Sequence, residues 1–378
     1  MQKLVIIGAN EFQQPLIQRA NALGYETHVF AWADGAVAAK DAAFFYPISI
    51  TEKEEIYKIC EEIEPAGVLT AGSDLATVTV SYLAEKMDLK ANSMKCVSVA
   101  TNKYEMRKAF RQAGVPTPLF CEVDDNTDLS ELQNLSFPVI VKPTDRSGSR
   151  GITKVENATD LQSAIKKAVD NSFEKKAIVE EYIDGDEYSC ESISFQGEHT
   201  VLAITKKFTT GSPNFIETGH LQPAGLSEAL THEVKQQVVK ALDALYVEYG
   251  ASHAEFKITS SGQVRIIEIG ARMGGDCIGS HLVELSTGYD YLKMIIDVAV
   301  GNKPEINNQI HQKYAAIRFI FNQEDLDLFN HYKDTALMKL QSEVIQLVDH
   351  EITDSSSRYG FFIVSSEQYD EIKDVLPV

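Results

Sequence analysis

No stretch of the chain runs to 18 consecutive apolar residues, so no membrane-spanning helix is expected. Paired-cysteine motifs are missing too. The five cysteines, at positions 60, 96, 121, 190 and 277, are odd in number and scattered, with no CxxC. That pattern excludes a disulfide framework or a cysteine-rich zinc site and predicts reduced thiols in a cytoplasmic protein. Positive charge is scarce: 35 Lys and Arg stand against 55 Asp and Glu, a net charge of −20. Such a balance repels nucleic acid and anionic membrane, so neither is expected as a partner, and any phosphate ligand must be held by a local cluster of cations. The first turn, Gly8-Ala9-Asn10-Glu11, lacks the GxGxxG spacing, which excludes a dinucleotide site of that kind. The N-terminus, MQKLVIIGAN, is too briefly apolar for a secretion signal and reads as a first strand. Neither internal repeats nor low-complexity runs occur.

What is present is an ordinary globular composition, 44% apolar and 24% charged, over 378 residues. That length suffices for two or three domains. Short apolar runs alternate with helical patterns up to about residue 98: LVIIGA at 4–9, a helix around Pro15–Leu23, THVFAW at 27–32, a helix around Glu52–Ile63, and AGVLTAG at 66–72. This alternation predicts a parallel αβ unit over 1–98. Asn102 opens a helix that ends at Gly114, and Val115-Pro116-Thr117-Pro118 follows as a stiff connector. From Pro138 the order is strand, glycine-rich turn, strand, helix, and three strands to about 208. An amphipathic helix is expected over 228–249, with Val234, Val238, Leu242 and Leu245 on one face. After a hairpin, helices run to about 300, and 301–378 reads as a small αβ segment.

That hairpin carries chemistry. Glu255 lies in AEFKI and Glu268 in VRIIEIG, with Ser260-Ser261-Gly262 between them. On paired strands the two carboxylates can face one another, and they repel unless a cation neutralises them. Hard oxygen ligands of this kind suit Mg²⁺, with Mn²⁺ as an alternative. Two further segments point to nucleotide. Lys142 ends the strand Pro138–Lys142, and Ser147, Gly148, Ser149 and Gly151 form a turn whose backbone N–H groups can approach phosphate oxygens. Glu180, Glu181, Ile183 and Glu187 follow around a second turn, where backbone groups can pair with a base edge and a carboxylate with ribose hydroxyls.

The order Lys103, Lys142-Pro143, SGSRG, EEYIDGDE, AEF, EIGAR resembles the ATP-grasp superfamily of carboxylate–amine ligases over roughly residues 1–300. The resemblance implies an α/β (α+β) fold in three parts: an N-terminal parallel αβ domain over 1–98, and an ATP-grasp domain over 99–300 made of a small-strand lid (about 136–205) and a central antiparallel metal-binding domain. It implies ATP between lid and central domain, with Lys103 and Lys142 on its phosphates and the Ser147–Gly151 loop over them. Glu180 would lie beside the adenine amino group, with backbone contacts from Glu181 and Ile183, and Glu187 would take the ribose. Glu255 and Glu268 would hold metal, and Arg272 would face an acyl phosphate. Lys206 is taken as a further phosphate lysine, with Lys207 as its alternative. One departure is Gly270, where most members have Asn. As a strand residue two beyond Glu268, it would accept an Asn side chain as an added ligand, unless the glycine is there because backbone or substrate approaches closely.

Glu217-Thr218-Gly219-His220 resembles a segment of bacterial L-amino-acid ligases, which join two amino acids. This implies that Glu217 and His220 face an amino-acid substrate, with Arg272 across from them. The expected activity is ATP-dependent amide formation between a small carboxylate and an amine through an acyl phosphate, releasing ADP and phosphate. The amides of Gly274 and Gly275 are candidates for an oxyanion site. The alternatives are a purine-pathway ligase of the same fold and an ATP-binding sensor without turnover. A homodimer is also compatible with this reading.

Overall fold

The computed structural model describes residues 1–377 apart from 133, 147, 149, 213, 307–312, 344, 348 and 349. Three sheets organise it. The first holds β1 (Lys3–Ile7), β2 (Glu26–Phe30), β3 (Phe44–Tyr46) and β4 (Gly67–Leu69) in the order β3-β2-β1-β4, all parallel. Parallel strands are covered on both faces, which is why β1 is apolar from Leu4 to Ile7. Leu4 and Ile6 pack with Leu16 and Ile17 of helix Gln14–Ala22. Val5 and Ile7 pack on the other side with Ile56, Cys60 and Leu83.

The chain leaves β1 towards β2 on one side and reaches β4 on the other. Loops at the carboxyl ends of β1 and β4 therefore border a crevice of the kind that receives ligands in such sheets. Gln13 ties them together, donating to Thr70 Oγ1 (2.9 Å) and accepting from the Ala71 N–H (2.8 Å). Ser73 then caps helix Asp74–Met87, which puts Asp74 at the crevice.

The second sheet is antiparallel, in the order β5 (Phe120–Val123), β8 (Ala177–Glu181), β6 (Val139–Pro143), β7 (Thr153–Val155), with helix Ala158–Asn171 over it. The third is an eight-stranded antiparallel sheet: β13 (Val264–Gly270), β12 (Tyr249–Ile258), β9 (Asp186–Phe195), β10 (Glu198–Thr209), β11 (Glu217–Gln222), β14 (Tyr314–Phe319), β16 (Phe361–Ser366), β15 (Met338–Gln341). The α/β class with a parallel N-terminal unit and an antiparallel central sheet is as expected.

Details differ from expectation. A lid over 136–205 overreaches, because β9 and most of β10 belong to the central sheet. Gly185 makes the break: its φ is +148°, and an added Cβ would strike the Ile258 carbonyl. The small C-terminal αβ segment is not separate: its strands β14, β16 and β15 extend the central sheet through the β11–β14 pairing. The amphipathic helix spans Glu228–Ala244 and stops short of 249, because Tyr249 already begins β12. Val234, Val238, Leu242 and Leu245 are all buried.

Candidate active site

Strand alternation splits the central sheet into two chemistries. Tyr188, Cys190, Ala254, Phe256 and Ile269 turn towards helix Glu228–Ala244 and form an apolar core. The opposite face carries Glu187 and Glu191 on β9, Lys207 on β10, His253 and Glu255 on β12, and Glu268 on β13. Cross-strand partners share a face, and the register pairs Glu255 with Glu268, His253 with Glu191, and Lys207 with both Glu187 and His220. The hairpin thus brings its two carboxylates opposite one another, next to a bulge between Glu255 and Phe256. Bulges re-aim side chains in this way.

Each of these acids holds a lysine. Lys103 Nζ donates to Glu268 Oε1 (2.9 Å) and to the Arg146 carbonyl (2.7 Å). Asn102 caps the helix Lys103–Ala113 through the Tyr104 and Glu105 amides, and the Lys103 N–H donates to the Thr144 carbonyl just after β6. The lysine is thereby fixed between lid and central sheet. Lys207 Nζ lies 2.7 Å from Glu255, 3.2 Å from Glu187 and 3.7 Å from Glu217. Burial would lower the Lys207 pKa, but these three carboxylates outweigh it and hold it well above the ordinary lysine value. Burial likewise works against the Glu255 carboxylate, and Lys207 with His253 overcomes it and holds the acid well below the usual range.

Lys207, not Lys206, is therefore the cleft lysine. Lys206 points to the opposite face, opposite Tyr188, and pairs with Asp186 at 3.1 Å. The physical reason is strand alternation, which decides between two adjacent lysines once the register is known. Lys207→Ala is expected to raise the KM for ATP roughly tenfold or more, as lost charge-assisted bonds do. Lys206→Ala should leave it within about twofold, as exposed ion pairs contribute little. Initial rates against ATP concentration for both variants check this, and the reverse order would reinstate Lys206.

Lys142 and Glu180 form an ion pair in the lid, and both are buried. A third member, which sequence reading missed, is Arg107: its Nε and Nη2 donate to the two Glu180 oxygens at 2.9 and 3.3 Å. Burial disfavours the Glu180 charge, but Arg107 and Lys142 together keep its pKa below the ordinary value. Burial also pulls the Lys142 pKa down, against Glu180. Arg107 lies four residues after Lys103, so the two share a helix face, and that spacing was the available signal. Ile183 is buried just beyond β8, and the Glu181 N–H is occupied by the Leu119 carbonyl (2.9 Å). Gly148 and Gly151 have φ of +69° and +74°. Ser147 and Ser149 lie outside the described residues.

Arg272 follows β13 and is held by Asp74, whose carboxylate accepts from Nε (2.8 Å) and Nη2 (3.2 Å). Nη1 donates to the Met273 carbonyl. These bonds use three of the five guanidinium N–H donors. Sequence reading missed Asp74, since nothing local marks an N-terminal helix acid as the partner of a residue 198 positions away. The same holds for Glu191, which is fully buried and hydrogen-bonded to His253 Nδ1. Burial would lower the His253 pKa, but Glu191, with help from Glu255, raises it to about 9.

This arrangement corrects one glycine expectation and decides between the two readings of another. The Gly274 N–H donates to Glu191 Oε2 (2.9 Å), and a Cβ there would sit 2.6 Å from His253 Nδ1. The Gly274 amide therefore serves Glu191 and is not free for an oxyanion. A Cβ at Gly270 would lie 3.0 Å from Arg272 Cζ and Nε, and 3.2 Å from Asp74 Oδ1. The glycine makes room for the guanidinium, not for a missing ligand. Gly270→Asn is thus expected to lower kcat several-fold at every Mg²⁺ concentration by displacing Arg272. A shift of the Mg²⁺ dependence to lower concentration with kcat intact would restore the vacant-ligand reading.

At the far end of the same face stand Glu217 and His220, flanked by Arg358, Asp276 and Ser355. Arg358, from the turn before β16, donates to Asp276 Oδ1 (2.7 Å) and Oδ2 (3.0 Å), to the Glu217 carbonyl (3.3 Å) and to the Ser355 carbonyl (2.7 Å). Ser355 Oγ donates to Glu217 Oε2 (2.8 Å). Asp276 and Cys277 are consecutive non-glycine residues at positive φ, +49° and +60°. Among the described residues, no group of three or more His, Cys, Asp or Glu side chains is placed to hold a metal by itself, and none of the helices is long and apolar enough to cross a membrane.

Residues 135–280 match the family profile described as an ATP-grasp domain. The chain is 28% identical over 275 residues to alanine–anticapsin ligase of Bacillus subtilis (strain 168), a match covering 66% of this chain and 57% of that one. It is 26% identical over 181 residues to D-alanine–D-alanine ligase B of Chromobacterium violaceum, covering 47% and 59%. It thus spans little more than half the length of these curated relatives. Among solved structures, L-amino acid ligase from Bacillus licheniformis superposes with a TM-score of 0.85 at 24% identity, covering 99% of this chain and 95% of that one. The chain carries an ATP-grasp domain in an ATP-grasp fold.

Proposed function

We propose that this ATP-grasp chain is an ATP-dependent ligase that joins the carboxylate of an amino acid to an amine through an acyl phosphate, releasing ADP and phosphate. One observation carries the proposal: two carboxylates, Glu255 and Glu268, face each other across a ladder, and each already holds a lysine ammonium. A site that gathers cations around paired hard oxygens suits phosphoryl transfer. The names of the ligases similar to this chain support the amino-acid class.

In this reading the lid supplies Lys142 and the connecting helix Lys103 for the nucleotide phosphates, with Lys207 beside them. These ammoniums exchange carboxylate partners for phosphate oxygens. Glu180, the Glu181 carbonyl and Ile183 border the base, and Glu187 the ribose. The donor set of Glu255 and Glu268 fits Mg²⁺, with nucleotide oxygens and water completing the shell. Mg²⁺ bound there would neutralise charge on the transferring phosphoryl group. Arg272, fixed by Asp74, turns its remaining N–H donors to the acyl phosphate. The substrate carboxylate oxygen attacks the γ-phosphorus and ADP leaves; an amine then attacks the acyl carbon and phosphate leaves. Glu217 and His220 orient the amino acid, and burial keeps the His220 pKa below its ordinary value, so the imidazole is neutral near pH 7. The same reading takes the protein as cytoplasmic and allows a homodimer.

A coupled ADP-release screen over pairs of L-amino acids tests the function, with hydroxylamine present in parallel to trap an acyl phosphate as the hydroxamate. ADP release that needs both an amino acid and an amine, with hydroxamate formed from the first, is the expected result. ATP binding without ADP release for any pair would instead indicate a sensor.

A further inference from the structure

His220 is fully buried, and among the described residues neither ring nitrogen has a hydrogen-bond partner. Its Nε2 stands 3.8 Å from Asp276 Oδ2, beyond hydrogen-bonding length. A buried imidazole is costly to leave in this state, and each such group calls for an explanation. Around it stand two carboxylates. Glu217 accepts from Ser355 on one oxygen, and its other oxygen lies 3.7 Å from Lys207. Asp276 accepts one bond from Arg358 on each oxygen. A carboxylate offers about four lone-pair sites, so Asp276 has capacity left on the side that faces His220.

Arg358 differs from Arg272 in how it is spent. Its donors go to Asp276 and to two backbone carbonyls, while its guanidinium lies 3.6 Å from the centre of the Phe319 ring. The same Phe319 packs edge-on against His220. Arg358 lies 78 positions beyond the matched domain, which ends at 280, yet it holds together the start of β11 and the loop that begins at Arg272. It acts as a clamp.

We propose that Asp276, held in place by Arg358, accepts the α-ammonium of the amino acid whose carboxylate is activated at Arg272, and that this pair makes the enzyme select acids that carry a free α-amine. The inference rests on the ligase reading above and deepens it. An ammonium brings three donors. Asp276, the lone pair of neutral His220 and Glu217 are the acceptors that converge on it. The four-residue spacing between Arg272 and Asp276 puts the groups for the two ends of an amino acid on one loop. Asp276 is the binding residue here, and Arg358 a positioning residue.

The test compares two substrates on the protein: the L-amino acid that gives the fastest ADP release, and the same acid without its α-amine. Asp276→Asn is expected to raise the KM for the amino acid by roughly tenfold or more, as loss of a bond to a charged group does. The KM for ATP should stay within about twofold, and most of the preference over the des-amino acid should vanish. Arg358→Gln should show the same split to a smaller degree, and guanidinium ion added to Arg358→Ala should restore part of the amino-acid KM. Asp276→Asn combined with Arg358→Gln should be no worse than Asp276→Asn alone. Equal losses for both substrates, or an unchanged preference in variants with normal thermal midpoints, would overturn the proposal while leaving the ligase reading intact. If Asp276→Asn does not fold, the preference of Arg358→Lys, which keeps the charge, decides instead. A wild-type protein that releases no ADP with any amino acid overturns both.

Discussion

Glu268→Ala is expected to reduce single-turnover ADP formation by on the order of 10³-fold, about 4 kcal/mol of transition-state stabilisation. The fold should survive. Glu268 lies on the cleft face of β13, and its side chain is about a quarter exposed, so truncation opens no core cavity. Two changes act together at the site. The pair facing Glu255 loses one hard ligand, and Lys103 loses the carboxylate that fixes it at 2.9 Å. Rapid-quench measurement at saturating Mg²⁺ and ATP gives the chemical step, and circular dichroism with a thermal scan gives the fold. Near-normal turnover in a folded variant would mean that the two facing acids are not the phosphoryl-transfer site.

Arg107→Met should be the most destabilising single change at the site, by about 3–5 kcal/mol, because it removes one partner of a buried ion pair and leaves the other charge behind. Arg107 is fully buried, and Glu180 nearly so. The loss should show as a lower urea midpoint with an unchanged slope. ATP affinity, measured by calorimetry, should fall with it, since Glu180 borders the proposed base site. Arg107→Lys keeps the charge but not the two-pronged geometry and should fall between the two. A midpoint within experimental error of wild type would show that Lys142 alone suffices for Glu180.

The sequence made the layers legible where periodicity is local. The βα alternation of the first 98 residues, the cap at Asn102, and the hairpin that opposes Glu255 and Glu268 could all be read from composition and spacing. What escaped was long-range pairing. Asp74 with Arg272, Glu191 with His253, and Asp276 with Arg358 are each brought together by topology, and no window of sequence contains both members. Lys206 and Lys207 could not be told apart, because the strand period is certain but its phase is not until register is fixed. Gly270 stayed open between a missing ligand and a close approach for a similar reason: the neighbour that fills the space, Arg272, is unknown until the fold is.

The pairing of β11 with β14 has a practical consequence for anyone shortening this protein. A cut near residue 300 looks harmless beside a domain match that ends at 280. It would strip three strands from the sheet and turn the Glu217–Gln222 strand into an open edge. Its outward N–H and C=O groups, now bonded to Ala315–Arg318, would be bare, and bare edges recruit other chains. Such a truncated protein would be sticky in solution. It would also lack Arg358, so its inactivity would say nothing about ATP-binding competence.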